Sequence, residues 1–216
     1  TKDFGTPLVS VILCTYNREK LVTKAVKSAL NQSYRNIELI IIDDGSADGT
    51  MAQLTPIALA DPRIIFVRHA NKGLARSRNV GLRLARGKYV CFLDSDDWYL
   101  RDHIRKRVEL MERRNSIAML YGRVHVRGPR SKQSVVDLEH PGKMIHVSRC
   151  YVGGTFFARR SVLMRVGGFR EIPFGEDLDL VLRVKKRFAV RRVDFPTYVY
   201  NCTPSDRLCL QNPSRG

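Results

Sequence analysis

The sequence predicts a single α/β domain whose central sheet is mostly parallel and flanked by helices, followed by a second half of mixed structure. In the first hundred residues, apolar β-branched runs recur about every 25–29 residues, and helix-like segments separate them. The composition, 44% hydrophobic and 27% charged, is that of a globular protein. A length of 216 residues suits one domain with a substantial core.

Four strands are predicted in the first half, at residues 8–14, 37–42, 63–67 and 88–93. Strands joined by helices lie parallel and are covered on both faces, which explains their continuous apolar character. The first connecting helix carries apolar residues on one face, from Leu21 to Ala29, and lysines on the other. The second helix is predicted at about residues 47–60, and the third at 73–85.

The pattern changes after Asp97. A basic amphipathic helix is predicted at about residues 100–114, with Ile104, Val108 and Met111 facing inward. A strand follows at residues 117–126, and a loop or hairpin tip at 128–134. Later elements are predicted as strands near residues 150–158 and 189–194, a helix near 177–187, and a tail or linker after Thr203.

The formal charge of +17 is concentrated in the second half. Residues 1–100 carry 14 basic and 10 acidic side chains, whereas residues 101–216 carry 24 and 11. This asymmetry indicates a polyanionic partner or an anionic membrane surface. No apolar run reaches the roughly 18–20 residues of a spanning helix. The cysteines form no CxxC pair, so we expect a cytoplasmic protein with reduced thiols. The start at Thr1 indicates a segment of a longer protein.

Acidic residues follow the predicted strands where ligands of open parallel sheets bind, at the carboxyl ends. Asp43 and Asp44 follow the second strand, and Asp94 and Asp96 follow the fourth. Capping of the next helix, by Ser46 or Asp48, is the structural alternative for the first group. Asp44 is placed to accept hydrogen bonds from a base or ribose.

The Asp94-x-Asp96 cluster indicates a divalent cation, because adjacent carboxylates repel one another unless a cation or donors neutralise them. Hard oxygen ligands suit Mg²⁺ or Mn²⁺, and such an ion bridges to a diphosphate. Neither GxxxxGK[ST] nor GxGxxG occurs in the sequence. Positive charges and amides at residues 71–79 open the third helix and suit a phosphate oxygen.

Six strings together resemble the inverting nucleotide-sugar glycosyltransferases of family 2, which have the GT-A fold. They are TYNRE at 15–19, IIDDGSADGT at 41–50, NKGLARSRNVG at 71–81, GKYVCFLDSDD at 87–97, GGF at 167–169 and GEDLDL at 175–180. The resemblance covers roughly residues 7–200. It implies a GT-A-type catalytic domain over 1–203, with a Rossmann-like sheet, a nucleotide-binding half at about 7–100, an acceptor-binding half at about 101–203, and a tail or linker at 204–216.

The resemblance also implies roles for single residues. The catalytic base is assigned to Asp177, with Glu176 as the second choice. Asp94 and Asp96 form the metal site. The residues implied to bind the nucleotide sugar are Thr15, Tyr16, Asn17, Glu19, Asp44, Arg78, Asp94, Ser95 and Asp96. The structural alternative for Glu176 and Asp177 is capping of their helix and pairing with Arg183 or Lys186.

On the acceptor side we expect Gly154 and Thr155 to approach a ligand closely, with a β-bulge as the alternative. Trp98 is expected to stack on a sugar or to pack in the core. Residues 198–203 contain no His where many relatives place a metal ligand, so the third protein ligand is left open. The absence of a QxxRW-type string favours addition of single sugars.

The predicted function is therefore metal-assisted, inverting, non-processive glycosyl transfer in polysaccharide or cell-envelope biosynthesis. The donor is a nucleoside diphosphate sugar, and we favour a UDP-sugar. The acceptor is a glycan or a lipid-linked molecule. We expect no nucleic acid partner and a peripheral contact with anionic membrane at its inner face. The alternative is a non-enzymatic basic module that binds anionic membrane or nucleic acid. The oligomeric state is left open.

Overall fold

The structure is a computed structural model that describes residues 6–138, 140 and 142–205. Within them, strands β1 to β10 lie at Val9–Thr15, Ile37–Asp43, Ile64–Arg68, Tyr89–Asp94, Trp98–Tyr99, Ile117–Arg127, Ser134–Val136, Met144–His146, Phe157–Arg159 and Ala189–Asn201. Helices α1 to α6 lie at Val22–Leu30, Thr50–Ala60, Leu74–Leu84, His103–Arg113, Arg160–Arg165 and Glu176–Lys185. Of the predicted tail at 204–216, residues 206–216 lie outside the described residues.

Eight strands form one sheet in the order β3-β2-β1-β4-β9-β6-β10-β5. Neighbours pair in parallel except at β9 and β5, which run antiparallel to the strands beside them. β7 and β8 form a separate antiparallel hairpin. The predicted mostly parallel α/β sheet with a mixed second half is confirmed, and a single sheet runs through both halves of the chain.

The core lies on both faces of this sheet because alternate side chains of each strand point to opposite faces. Val11 of β1 packs in the cluster that contains Val26 of α1, whereas Ile12 packs with Leu82 of α3 and Leu180 of α6. The predicted apolar face of α1 is confirmed, since its buried residues are Val22, Ala25, Val26 and Ala29.

The second half departs from the predicted elements in several places. In place of a strand at 150–158, a 3₁₀ turn at Gly153–Thr155 precedes the three-residue β9. The predicted loop at 128–134 contains a 3₁₀ turn at Arg130–Lys132 that leads into β7. The strand predicted at 189–194 continues to Asn201 as β10, because its later residues pair with β6 and β5. Sequence periodicity misses β5 and α5, since each is shorter than two periods of its pattern.

Strand register brings the acidic strand ends together. Thr15 lies opposite Asp43 on β2, and Cys14 lies opposite Asp94 on β4. Because these three strands are parallel, their carboxyl ends share one edge of the sheet. The loops that follow β1, β2 and β4 therefore meet at a single place.

Candidate active site

A cleft of about 1650 Å³ opens at this edge of the sheet. Its opposite wall comes from the start of α6 and from the β7–β8 hairpin, including Val136 and Ile145. Ten of the residues predicted from the sequence line the cleft: Thr15, Tyr16, Asn17, Asp44, Arg78, Asp94, Ser95, Asp96, Glu176 and Asp177.

Arg78 of α3 joins the two sides of the cleft. Its Nη1 donates to Asp177 Oδ1 at 2.7 Å and to Glu176 Oε1 at 3.2 Å, and its Nη2 donates to Asp94 Oδ1 at 3.0 Å. The Arg78 side chain is only 3% exposed. Burial disfavours its charge, but the three carboxylates outweigh burial and raise the pKa of Arg78 above its ordinary value. Arg78 therefore remains a cation that links the end of β4 to the first turn of α6.

The GGF string at residues 167–169 packs against the Arg78 side chain. Asn79 binds the Phe169 backbone twice, donating from Nδ2 to the carbonyl at 2.7 Å and accepting at Oδ1 from the N–H at 2.9 Å. Gly168 has a φ of 65°, and a Cβ there would overlap Asn79 Oδ1. The Phe169 ring then lies 5.0 Å from the Arg78 guanidinium. The strings at 71–81 and 167–169 thus cooperate in holding Arg78.

Asp177 is the second residue of α6 and is held from two directions. Its Oδ1 accepts from Arg78, and its Oδ2 accepts from the backbone N–H of Gly153 at 2.7 Å. A Cβ at Gly153 would overlap the Asp177 carboxylate. Burial raises the pKa of Asp177 to about 7; Arg78 opposes this shift, and the charges of Glu176 and Asp94 add to it.

The Asp177 side chain is still 21% exposed at the cleft. A carboxylate with a pKa near neutrality, within reach of a ligand, can accept a proton at neutral pH. The structural alternative, in which Glu176 or Asp177 pairs with Arg183, does not occur in the structure. Arg183 binds Asp179, one turn before it on the outer side of α6, at 2.7 Å.

Asp94, at the end of β4, is fixed through both carboxylate oxygens. Oδ1 accepts from Arg78, and Oδ2 accepts from the Tyr198 hydroxyl at 3.2 Å. The same hydroxyl lies 2.6 Å from Asp97 Oδ2, and Asp97 Oδ1 accepts from the Asn201 N–H at 2.8 Å. Burial, followed by the charges of Asp96 and Asp94, raises the pKa of Asp97 well above its ordinary value. Asp97 is therefore an internal structural carboxyl.

The donor set suits a cation that is shared with a ligand. Asp94 and Asp96 both line the cleft, and the Asp94 side chain is 27% exposed. Across the described part of the chain, no three His, Cys, Asp or Glu side chains converge to form a complete metal site. Mg²⁺ is commonly held by one or two carboxylates together with substrate phosphates and water. The two carboxylates fit that arrangement.

The loop after β1 is tied to the loop after β2. The Asn17 N–H donates to Ser46 Oγ at 2.9 Å, and Asn17 Oδ1 accepts from the Ala47 N–H at 2.8 Å. Asn17 has a φ of 50°, a conformation that asparagine tolerates better than most residues. Asp48 accepts from the Thr50 N–H at the start of α2, as the capping alternative expected.

Glu19 lies outside the cleft lining. Its Oε2 accepts from the Gly49 N–H at 2.9 Å, next to the first residue of α2. By contrast, Asp44 lines the cleft, but both its oxygens accept backbone N–H groups, from Lys72 at 2.8 Å and Gly73 at 2.9 Å. Asp44 thereby fixes the loop that leads into α3, and its Oδ1 also lies 3.3 Å from His69 Nδ1.

The three residues expected on the acceptor side lie behind the cleft wall or beside it. Thr155 is fully buried, and its hydroxyl donates to the Val152 carbonyl at 2.7 Å and accepts from the Gly122 N–H at 3.2 Å. Gly154 packs directly under the ring of Tyr198. Trp98 pairs within the sheet at β5, and Lys24 Nζ lies 2.9 Å from its ring centroid.

Sequence reasoning missed several residues that shape the site. The backbone N–H of Gly153 binds Asp177, a contact that the sequence does not reveal. Tyr198 carries no motif in this sequence, and its role depends on a pairing between distant strands. The contribution of Phe169 could have been inferred from the GGF string, but not its position beneath Arg78.

Residues 10–172 match the family model described as glycosyl transferase family 2. The chain belongs to glycosyltransferase family 2. An uncharacterized glycosyltransferase of Haemophilus influenzae is 43% identical over 117 residues, which is 54% of this chain and 46% of the relative. The Escherichia coli UDP-Glc:alpha-D-GlcNAc-diphosphoundecaprenol beta-1,3-glucosyltransferase WfaP is 42% identical over 106 residues, 49% of this chain and 41% of WfaP. The matches thus span less than half of these relatives.

Two solved structures share the fold of this family 2 chain. S. aureus TarS 1-349 in complex with UDP-GlcNAc superimposes with a TM-score of 0.75 at 23% identity, over 93% of this chain and 60% of TarS 1-349. The mannosyltransferase PcManGT of Pyrobaculum calidifontis, in complex with GDP-Man and Mn²⁺, gives a TM-score of 0.74 at 21% identity, over 94% of this chain and 59% of PcManGT. A GT-A-like fold is confirmed. None of the described helices has the length and apolar character to cross a membrane.

Proposed function

We propose that this family 2 chain transfers a sugar from a nucleoside diphosphate sugar to an acceptor hydroxyl with inversion, and that Asp177 is the base. The observation that carries the proposal is the arrangement of Asp177 and Asp94, which bind the two terminal nitrogens of one buried guanidinium, that of Arg78. Asp177, with a pKa of about 7, thus lies across Arg78 from Asp94, one of the two acids proposed to hold the cation of the donor diphosphate.

The chemistry requires two groups on opposite sides of the anomeric carbon. Asp177 accepts the proton of the acceptor hydroxyl while that oxygen forms a bond to the anomeric carbon. The bond from this carbon to the diphosphate oxygen breaks, and the nucleoside diphosphate leaves with the bonding electrons. One displacement with one base inverts the anomeric centre, and general base catalysis contributes about 10²–10⁴-fold.

On the donor side, Asp94 and Asp96 are proposed to hold Mn²⁺ or Mg²⁺, which would supply positive charge to the leaving diphosphate. Tyr16, Asp44 and Lys72 line the part of the cleft next to these acids. We assign the nucleobase and the ribose of the donor to this region, in line with the sequence prediction. PcManGT, whose solved complex contains GDP-Man and Mn²⁺, supports the use of a cation. WfaP and TarS support a UDP-sugar as the donor.

The acceptor is proposed to be a glycan or a lipid-linked molecule, to which single sugars are added. WfaP, by its name, acts on a diphosphoundecaprenol-linked sugar. A basic surface at the end of α6 and the start of β10 suits an anionic membrane, and its exposed residues are Lys185, Lys186, Arg187, Arg191 and Arg192. Sedimentation with phosphatidylglycerol vesicles but not with phosphatidylcholine vesicles would support this contact, and equal sedimentation with both would contradict it.

The central proposal is tested by the matched variants Asp177→Asn and Asp179→Asn. Both residues belong to the first half of α6, but Asp179 binds Arg183 outside the cleft. The donor is first identified by measuring the Tm of the wild type with each member of a panel of nucleotide sugars. A ligand at 100 times its Kd stabilises the protein by about 2.7 kcal/mol and therefore raises the Tm. Asp177→Asn should then abolish transfer and keep donor binding, whereas Asp179→Asn keeps both. Retained transfer in Asp177→Asn would move the base elsewhere.

A further inference from the structure

Tyr198 of β10 lies between the donor side and the base side of the site, and it is completely buried. Its hydroxyl contacts two carboxylates, at 2.6 Å to Asp97 Oδ2 and 3.2 Å to Asp94 Oδ2. It also accepts from the backbone N–H of Asp94 at 3.4 Å. A side chain that contributes nothing to the cleft surface thus touches both the backbone and the carboxylate of Asp94.

The ring of Tyr198 contacts the other side of the site. A Cβ added to Gly154 would overlap the phenol ring, so the ring lies directly against the Gly154 backbone. The preceding residue, Gly153, donates its N–H to Asp177 Oδ2 at 2.7 Å. Tyr99 packs against the ring of Tyr198 with its own ring centroid at 5.8 Å and leaves it little freedom.

We propose that Tyr198 is a positioning residue that couples the two halves of the site, its hydroxyl orienting Asp94 and its ring holding the Gly153–Gly154 turn against Asp177. This inference rests on the proposed function, in which Asp94 acts on the donor side and Asp177 is the base. Tyr198 itself touches neither ligand.

The hydroxyl matters because Arg78 holds only one oxygen of Asp94. With a single anchored oxygen, a carboxylate rotates about its Cβ–Cγ bond, and its second oxygen samples several directions. The Tyr198 hydroxyl lies 3.2 Å from that second oxygen and 2.6 Å from Asp97 Oδ2, and it restricts this rotation because Asp97 in turn holds the hydroxyl in place. A hydrogen bond to a charged group is worth about tenfold to a hundredfold in an equilibrium constant, and part of that factor should appear in donor binding.

The test of the hydroxyl is Tyr198→Phe, with Tyr99→Phe as the matched control. The Tyr99 hydroxyl is also buried, but it donates to the Phe92 carbonyl at 2.5 Å and touches no carboxylate. Both variants lose one buried hydroxyl and should lose stability. Calorimetry with UDP and GDP, in the presence of Mn²⁺, should show a Kd at least about tenfold higher for Tyr198→Phe and unchanged for Tyr99→Phe.

The test of the ring is Gly154→Ala, which keeps the hydroxyl but forces the ring to move. This variant should raise the Kd for the diphosphate and also shift the pH midpoint of transfer, because the Gly153 N–H leaves Asp177. Tyr198→Phe keeps the ring in place and should leave that midpoint unchanged. A midpoint that moves in Tyr198→Phe but not in Gly154→Ala would contradict the proposed division of roles.

The outcomes separate this inference from the proposed function. If the wild-type protein binds no nucleoside diphosphate with Mn²⁺, the proposed function fails. If the wild type binds and Tyr198→Phe binds equally well, the inference about Tyr198 fails while the proposed function stands. If Tyr198→Phe does not fold, Gly154→Ala alone tests the inference. The inference then fails if Gly154→Ala has the same Kd for the nucleoside diphosphate and the same pH midpoint of transfer as the wild type.

Discussion

The guanidinium of Arg78 and the carboxylate of Asp177, 99 positions apart in the sequence, meet at 2.7 Å across the cleft. The same guanidinium holds Asp94 at 3.0 Å. One buried cation therefore sets the separation between the proposed base and the proposed donor site. It also lets three carboxylates share a small volume, since its positive charge offsets their mutual repulsion.

Loss of Arg78 should be strongly destabilising. In Arg78→Met the carboxylates of Asp94, Glu176 and Asp177 keep their mutual repulsion but lose their common partner. Breaking a buried ion pair from one side costs about 3–5 kcal/mol, which urea denaturation at pH 8 would measure. The control is Arg76→Met on the same helix, whose partner Glu171 is 52% exposed, with an expected cost below about 1 kcal/mol. Equal costs would contradict the role of Arg78.

Transfer activity should rise with pH through about 7, because Asp177 acts as a base only when it is ionised. Glu176→Gln removes a neighbouring negative charge that raises the pKa of Asp177, and it frees Arg78 to bind Asp177 more strongly. The midpoint of kcat/KM against pH should therefore fall below that of the wild type. An unchanged or higher midpoint would argue against Asp177 as the titrating base.

Stability should depend on pH through the same residue. The folded pKa of Asp177, about 7, lies above its ordinary value of 3.8, so the folded protein binds more protons than the unfolded chain between these values. Its contribution to stability is thus present at low pH and is lost as pH rises through about 7. Comparing Tm from pH 5 to 8, wild type should lose more than Asp177→Asn. Parallel curves would contradict the raised pKa.

The first half of the fold was predictable because each strand there is a continuous apolar run and each connection is a helix with an apolar face. The elements that resisted prediction are the short ones. β9 has three residues and β5 has two, so their conformation depends on pairing with β4, β6 and β10 rather than on their own side-chain pattern.

The candidate site was predictable where a motif residue ends a strand, as Asp94 does, or begins a helix, as Asp177 does. The sequence could not distinguish residues that line the cleft from those that build the loops around it. Arg107 shows a further limit. It is fully buried in α4 and donates to the His103 carbonyl and to Thr197 Oγ1, a pairing that depends on packing against β10. Nothing in its basic amphipathic segment predicts this burial.

Glu19 allows this distinction to be tested. The motif implies a contact with the nucleotide sugar, whereas in the structure Glu19 Oε2 accepts from the Gly49 N–H at the start of α2. Glu19→Ala leaves that N–H unpaired and removes a negative charge beside a helix N-terminus, which should cost about 0.5–2 kcal/mol of stability. Glu19→Gln keeps an acceptor oxygen and should lose less.

The control for Glu19 is Glu109→Ala, because Glu109 is exposed on α4 and pairs only across the helix surface with Arg105. Its stability should change by less than about 0.5 kcal/mol. The Kd for nucleoside diphosphate in Glu19→Ala, measured well below its Tm, should stay within about threefold of wild type, since no atom of Glu19 lines the cleft. A tenfold higher Kd with unchanged stability would instead support the contact between Glu19 and the nucleotide sugar that the motif implies.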